Sequence, residues 1–481
     1  MEPKNLRFGG GLAETVLNPA VLLLILVAGV LMCILPRKQA MLAFLVASIL
    51  IPMDQVLLIG GMHFPMLRLL VLFGAVRIFR DRNTSRYKIF SGGLNKIDLS
   101  VILLTVFTAV NGILLFQQSG AVIFQLGNVY TVFGIYFLLR FLIRDDDDIV
   151  RMIRTLACIA AFVAVIMAWE IKTGHNPYAM LGGSNSSFYA DLMQRDDRFR
   201  AMGCFGHPIL AGTFGAILVP LFVLLWRRGK KDRVLAAVGI VSSIIIVLTS
   251  NSSTPVLAYA GGVFAIFLWP IRRWMRVVRW SLVFLLVSLH MVMKAPVWHL
   301  ISRIDISGGS SGYHRYMLID QCIRHFSDWW LIGVKSTYDW GWDMWDTANQ
   351  YVSTCDASGL LPFLLFLATI VYGFKYLGKA RTVVRDKQKQ LFLWAMGACL
   401  FANVVSFVGI SYWDQTQVVW YGLLAAISAA ALVRRQQESH DVAIVDSPKV
   451  AEWSAQFVEQ PAATENGESE TEWRYQSFFR A

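Results

Sequence analysis

The chain has 481 residues, of which 56% are hydrophobic and only 16% charged, with a mean hydropathy of +0.53. A soluble globular protein carries about 25% charged residues, so a fold surrounded by water is excluded. The formal net charge of +12 does not point to nucleic acid, because Lys and Arg gather in short loops between apolar blocks, as cytoplasmic loops do under the positive-inside rule.

The apolar blocks are long enough to cross about 30 Å of hydrocarbon as helices, and helices are what unpaired backbone groups in lipid demand. In chain order, spans are predicted near 18–35, 40–53, 64–80, 97–117, 121–143, 150–170, 208–226, 233–250, 254–270, 278–296, 357–377, 390–411 and 415–433. The expected fold is therefore all-α and polytopic, with about 12–13 spans forming a transmembrane domain over residues 1–433. Basic loops recur at Arg37-Lys38, Arg80 to Lys96, Arg140 to Arg154, Arg227 to Arg233, Arg272 to Arg279, Lys375 to Lys389 and Arg434-Arg435. They are assigned to the cytoplasm, and the loops between them to the outside. Lys4 and Arg7 run against this pattern, so the first two blocks form either a reverse anchor or something other than two full spans. No cleavable signal is expected, since the first block lacks a small-residue cleavage site. Residues 434–481 are acidic, polar and poor in aliphatics, and are predicted to be a disordered cytoplasmic tail.

Two outer loops are long, at about 171–207 and 297–356. The spans are nearly free of Asp, Glu, Lys and Arg at their centres, which speaks against a cation-coupled transporter. Asn111 and Asn403 read as helix–helix hydrogen bonds, and Glu170, Arg68 and Lys294 as span-end residues snorkelling to water. Cys33, Cys158 and Cys399 fall in spans and read as packing residues; Cys204, Cys322 and Cys355 fall in outer loops, where a disulfide is open but not derivable. No spacing of metal ligands appears, and no cofactor is expected.

The first outer loop ends in Arg198-Phe199-Arg200-Ala201-Met202-Gly203-Cys204-Phe205-Gly206-His207-Pro208. Arg198 and Arg200 at an outer face break the charge rule. Their guanidinium forks suit phosphate oxygens; pairing with Asp196 or Asp197, or with lipid headgroups, is the competing reading. In the second loop, Tyr316, Ile319, Ile323 and Phe326 repeat at steps of 3, 4 and 3, which predicts an amphipathic helix. It should lie along the outer face and leave Arg315, Asp320 and Arg324 to a cavity or water, after a flexible lead-in from Ser307 to Gly312. Trp340, Trp342 and Trp345 are either an interfacial belt or stacking platforms for sugar rings. Asp346, ahead of Thr347-Ala348-Asn349-Gln350-Tyr351, is placed for general-base work or for a helix N-cap.

These segments together resemble the O-antigen ligase and polymerase superfamily, which includes exopolysaccharide polymerases. The likeness rests on Arg200, Gly203, Phe205, His207 and Pro208 opening a span; on Arg315 followed by Leu331-Ile332-Gly333; and on Asn349-Gln350-Tyr351-Val352 with Gly359-Leu360 entering the next span. It covers about residues 195–370. The resemblance implies metal-independent, inverting glycosyl transfer from an undecaprenyl-pyrophosphate-linked glycan, in a multi-pass protein of the bacterial inner membrane facing the periplasm. It puts Arg200 and Arg315 on the donor pyrophosphate, with Arg198 beside them, and it implies contact with the lipid bilayer and with other polysaccharide-export proteins. Trp340, Trp342, Trp345 and Asn349 are then the expected glycan contacts. Ligases of the family carry His just before the loop's final Asn, where this chain has Ala348. The expectation therefore turns to a polymerase of lipid-linked repeats, with His314 and Asp346 as candidates for activating the acceptor. Transfer of a glycan to a lipid or protein acceptor is the alternative, and a polysaccharide or lipid transporter is the second.

Overall fold

The computed structural model describes residues 17–52, 55–59, 62–84, 90, 93–182, 194–195, 198–303, 311–413 and 415–445. Each of the thirteen predicted apolar blocks is a helix. They are α1 (Pro19–Ile34), α2 (Arg37–Leu50), α3 (Met66–Thr84), α4 (Lys96–Phe116), α5 (Ser119–Leu142), α6 (Asp146–Thr173), α7 (Pro208–Arg228), α8 (Lys230–Thr249), α9 (Ser253–Phe267) and α10 (Met275–Val292), then α14 (Leu360–Val383), α15 (Lys387–Ser406) and α16 (Thr416–Val445). Between α10 and α14 lie α11 (Ser311–Arg324), the short α12 (Phe326–Trp329) and α13 (Gln350–Ser358).

Among the described residues, eight of these helices are long and apolar enough to cross a membrane: α4 to α8, α10, α14 and α15. The expectation of about 12–13 spans left open whether the first two blocks are full spans, and the second falls short of one. Helix α2 has 14 residues, or about 21 Å at 1.5 Å per residue, short of the hydrocarbon thickness. A hairpin of β1 (Val56–Ile59) and β2 (Met62–Pro65), paired antiparallel, joins it to α3. The hairpin fills most of the gap between the predicted blocks 40–53 and 64–80, and only Phe64 and Pro65 fall inside a block.

Helix α7 is the centre of the bundle, with 89% of its apolar window buried. Its neighbours come close because it offers glycine on the contact face. A Cβ on Gly212 would sit 2.4 Å from Ser250 Oγ and 2.5 Å from Pro255 Cγ, so only glycine lets the α8–α9 turn approach this near. Around α7 runs one continuous apolar core drawing on α1 to α8 and α14 to α16.

The helices that surround α7 share a polarity of charge. Ion pairs link Arg37 to Asp148 (2.5 Å), Arg154 to Asp232 (2.9 Å) and Arg228 to Asp147 (3.0 Å) at one end of the bundle. Asp98 and Arg140, both fully buried, pair at 2.9 Å, and the Tyr136 hydroxyl donates to Asp98 at 2.5 Å. The loops containing Arg200 and Arg315 gather at the other end, where α7 begins and α8 stops.

The chain divides into two units, Met1–Val433 and Arg434–Ala481. Helix α16 continues to Val445, so helix extends past Arg434, where the tail was expected to begin disordered; residues 446–481 lie outside the described residues.

Candidate functional site

The first outer loop reaches the site through a short antiparallel pair, β3 (Gln194–Arg195) and β4 (Arg198–Phe199). Asp196 and Asp197, the competing partners for the arginines, lie outside the described residues, and Arg198 is described by its backbone alone. From Arg200 onward the segment is locked. The Ala201 N–H donates to the Thr249 carbonyl at the end of α8 (3.0 Å). Gly203 takes a left-handed φ of 59°, and its carbonyl accepts from Asn176 Nδ2 (2.8 Å). Glu170 Oε2 accepts from the Met202 and Gly203 N–H groups at 3.1 and 2.8 Å. This corrects the reading of Glu170 as a snorkelling residue: it is wholly buried and pins the turn after Arg200. His207 caps α7 through Nδ1, which accepts from the Ile209 N–H at 3.0 Å.

Arg200 is buried, and its Nη2 donates to Ser252 Oγ at 2.7 Å. Arg315, from the first turns of α11, is also buried, and its Nη2 donates to Thr254 Oγ1 at 2.7 Å. Ser252 and Thr254 belong to the same turn, the start of α9. Ser252 stands at the N-cap without capping through its side chain; its hydroxyl donates instead to the Ser250 carbonyl (2.8 Å). Two guanidinium groups from distant loops are thus brought to the amino-terminal turn of one helix. That end already carries the positive pole of the helix dipole, so the local field is strongly attractive to an anion.

Sequence alone does not point to the Ser252–Thr254 turn: Asn251-Ser252-Ser253 fall in the gap between two predicted spans, and Thr254-Pro255 inside the span at 254–270. The signal available was its density of hydroxyls beside a proline, a usual helix-start pattern.

The second loop folds around its own small core of Leu318, Cys322, Trp329, Trp340, Met344, Val352 and Cys355. Of the predicted amphipathic face, Tyr316, Ile319 and Ile323 fall on α11, while Phe326 begins the separate α12; Ile323 and Phe326 are half exposed. Asp320, expected toward cavity or water, is buried. It accepts from Arg324 Nε at 2.7 Å and from Trp298 Nε1 at 3.1 Å. Of the lead-in Ser307 to Gly312, residues 307–310 lie outside the described residues.

The two ends of the loop interlock. Gly333 and Gly359 have φ of 93° and 86°, and their backbones touch across the junction: the Val334 N–H donates to the Asp356 carbonyl (2.7 Å), and the Leu360 N–H to the Trp330 carbonyl (2.9 Å). Asn111, read as a helix–helix hydrogen bond, donates to the Ser358 carbonyl at 2.6 Å and clamps the same junction to α4.

The expected glycan contacts separate. Trp342 and Trp345 are 92% and 63% exposed, whereas Trp340 is only 5% exposed. Trp340 stacks on His325 with centroids 5.3 Å apart and is a core residue of this loop. Asn349 is also fully buried. Its Oδ1 accepts from the Tyr351 and Val352 N–H groups at the start of α13, and its Nδ2 donates to the Val408 carbonyl at 3.1 Å. Its amide is thus committed to holding α13 against the segment after α15. From there the Gly409 carbonyl accepts from Thr254 Oγ1 (3.3 Å), so Asn349 supports the arginine site from behind.

His314 and Asp343 both lie within electrostatic reach of Asp346. His314 Nε2 lies 2.9 Å from the Asp343 carbonyl, which can only accept, so Nε2 carries the proton and Nδ1 the lone pair of the neutral ring. Protein closing around Asp346 raises its carboxyl pKa, with Asp343 adding to the rise and His314 opposing it. Asp343, left-handed at φ 62°, is the member of this group that spacing did not reveal. Among the described residues no group of three or more His, Cys, Asp and Glu is arranged to hold a metal ion.

No protein-family model matches the chain, and no curated protein matches it. The fold by itself defines the class: a multi-pass α-helical membrane protein.

Proposed function

We propose that the chain is a membrane glycosyltransferase that extends polysaccharide repeats carried on a lipid pyrophosphate, working at the extracytoplasmic face of a bacterial inner membrane. The observation that carries this is the convergence of Arg200 and Arg315 on Ser252 and Thr254, at the start of α9. As a glycosidic bond to pyrophosphate breaks, negative charge grows on the leaving group. Fixed cations and a helix pole in a desolvated site stabilise that charge more in the transition state than in the ground state.

The sidedness follows from charge. The Arg- and Lys-rich ends of the helices lie opposite the arginine site, and such ends are retained in the cytoplasm. His314 and Asp346 are the groups offered for acceptor activation, with the lone pair of His314 on Nδ1. Exposed Trp342 and Trp345 are offered as sugar-stacking faces.

The test is incubation of the purified protein with an undecaprenyl-pyrophosphate oligosaccharide repeat. Growth of a ladder of longer lipid-linked chains is expected. A protein that inserts and folds but leaves the repeat unextended overturns the proposal.

A further inference from the structure

We propose that Cys322 and Cys355 are joined by a disulfide bond in the mature protein, tying α11 to α13. The inference rests on the extracytoplasmic placement proposed above, because disulfides persist in oxidising compartments.

The Cys322 and Cys355 side chains are free thiols in the structure, packed into the same small buried core, where the Cys322 thiol raises the pKa of Cys355. Both residues are buried, at 6% and 4% exposure, in the small core of the second loop with Leu318 and Trp329. That core has seven buried residues, and small cores of this size are commonly reinforced by covalent staples. The tie would fall where the site needs it. Cys322 lies two turns along α11 from Arg315, and Cys355 precedes Asp356, whose carbonyl joins the Gly333 turn to α13. Cys204, the third cysteine of the outer loops, is directed elsewhere, its thiol reaching the Ile49 carbonyl at 3.2 Å.

Formation requires an oxidant, and the class named is a disulfide donor of the extracytoplasmic thiol-exchange kind. One cysteine thiolate attacks the donor's disulfide, forming a mixed disulfide and releasing one donor thiolate. The second cysteine thiolate then displaces the other donor sulfur, closing the Sγ–Sγ bond. Two protein thiols lose two protons and two electrons, and the donor is reduced to two thiols. In the closed core the partner thiol and burial hold the Cys355 proton on, and the thiolate is the reactive form. The exchange therefore belongs to folding, before the core closes. Once formed, the bond is shielded from reductants.

The experiment uses the full chain in native membranes. Samples are quenched in acid, denatured and alkylated with N-ethylmaleimide, then reduced and treated with a heavier maleimide. Cys322 and Cys355 are expected to take only the second label, and the unreduced digest to hold a linked peptide pair that Cys322→Ser abolishes. Wild-type protein in which both residues take the first label overturns the disulfide. In parallel, Ser327→Cys, an exposed position, is probed on spheroplasts with a membrane-impermeant maleimide. Labelling there with reduced native thiols overturns the disulfide and leaves the proposed function standing. Absence of outside labelling overturns the placement, and the disulfide with it.

Discussion

Arg200 and Arg315 each direct a fork of donors at one helix start, and the fork is what lysine cannot supply. Arg200→Lys and Arg315→Lys are each expected to lower chain extension by about thirtyfold, from loss of about 2 kcal/mol of charge-assisted hydrogen bonding. Membrane insertion should be unchanged. Chain length by gel and insertion by protease protection read the two effects separately; wild-type lengths in both variants would refute the phosphate role. Asp356 offers a pH test. Burial raises its pKa from 3.8 to about 7, against the lowering effects of the Ala357 N–H and the Thr347 hydroxyl. The folded state therefore binds a proton that the unfolded state has released between about pH 4 and 7, and stability falls as pH rises through that window. Asp356→Asn should remove this part of the pH dependence. Thermal denaturation in detergent at pH 5 and pH 8 measures it, and an unchanged difference between the two would show that Asp356 is not its source.

At the level of elements, the second loop is held by backbone rather than by a large core. The Gly359 backbone approaches the Leu331 carbonyl so closely that a Cβ would sit 2.6 Å from its oxygen. With φ at 86°, Gly359→Ala should cost at least about 1–2 kcal/mol in backbone strain alone and shift the α13–α14 junction. Limited proteolysis of the purified protein should then cut first within residues 325–358. An unaltered cleavage pattern and melting temperature would mean that the junction tolerates a side chain. Asn349 acts on the same elements from the other side. Asn349→Ala removes both the α13 cap, worth about 1 kcal/mol, and the tie to Val408, so it should loosen Gly409 and Thr254 behind the arginines. Its activity loss should therefore accompany a stability loss, unlike that of Arg200→Lys.

Across the whole molecule, the two ends of the bundle do different work. One end is fastened by ion pairs, of which Asp98–Arg140 is fully buried, with Tyr136 donating to the same carboxylate. Removing one partner strands the other charge: Arg140→Leu should destabilise the protein by about 3–5 kcal/mol. Arg140→Leu combined with Asp98→Leu should recover part of that loss. Detergent melts of the single and double variants provide the measurement, and equal losses in both would show that the stranded charge is not the cause.

Hydropathy alone determined the helices, because lipid leaves a spanning backbone no other way to satisfy its polar groups; every apolar block became one. Arg200 was also legible as an arginine at an outer face, whereas Gly333, Gly359 and the role of Arg315 stood out only through the resemblance. What the sequence left open was decided by contacts between residues far apart in the chain. Only packing shows that Ser252 and Thr254 receive both arginines, that Glu170 turns inward to the Gly203 turn, and that Trp340 and Asn349 are core while Trp342 and Trp345 are surface. Burial of a side chain depends on which distant segment covers it, and spacing along the chain carries no information about that.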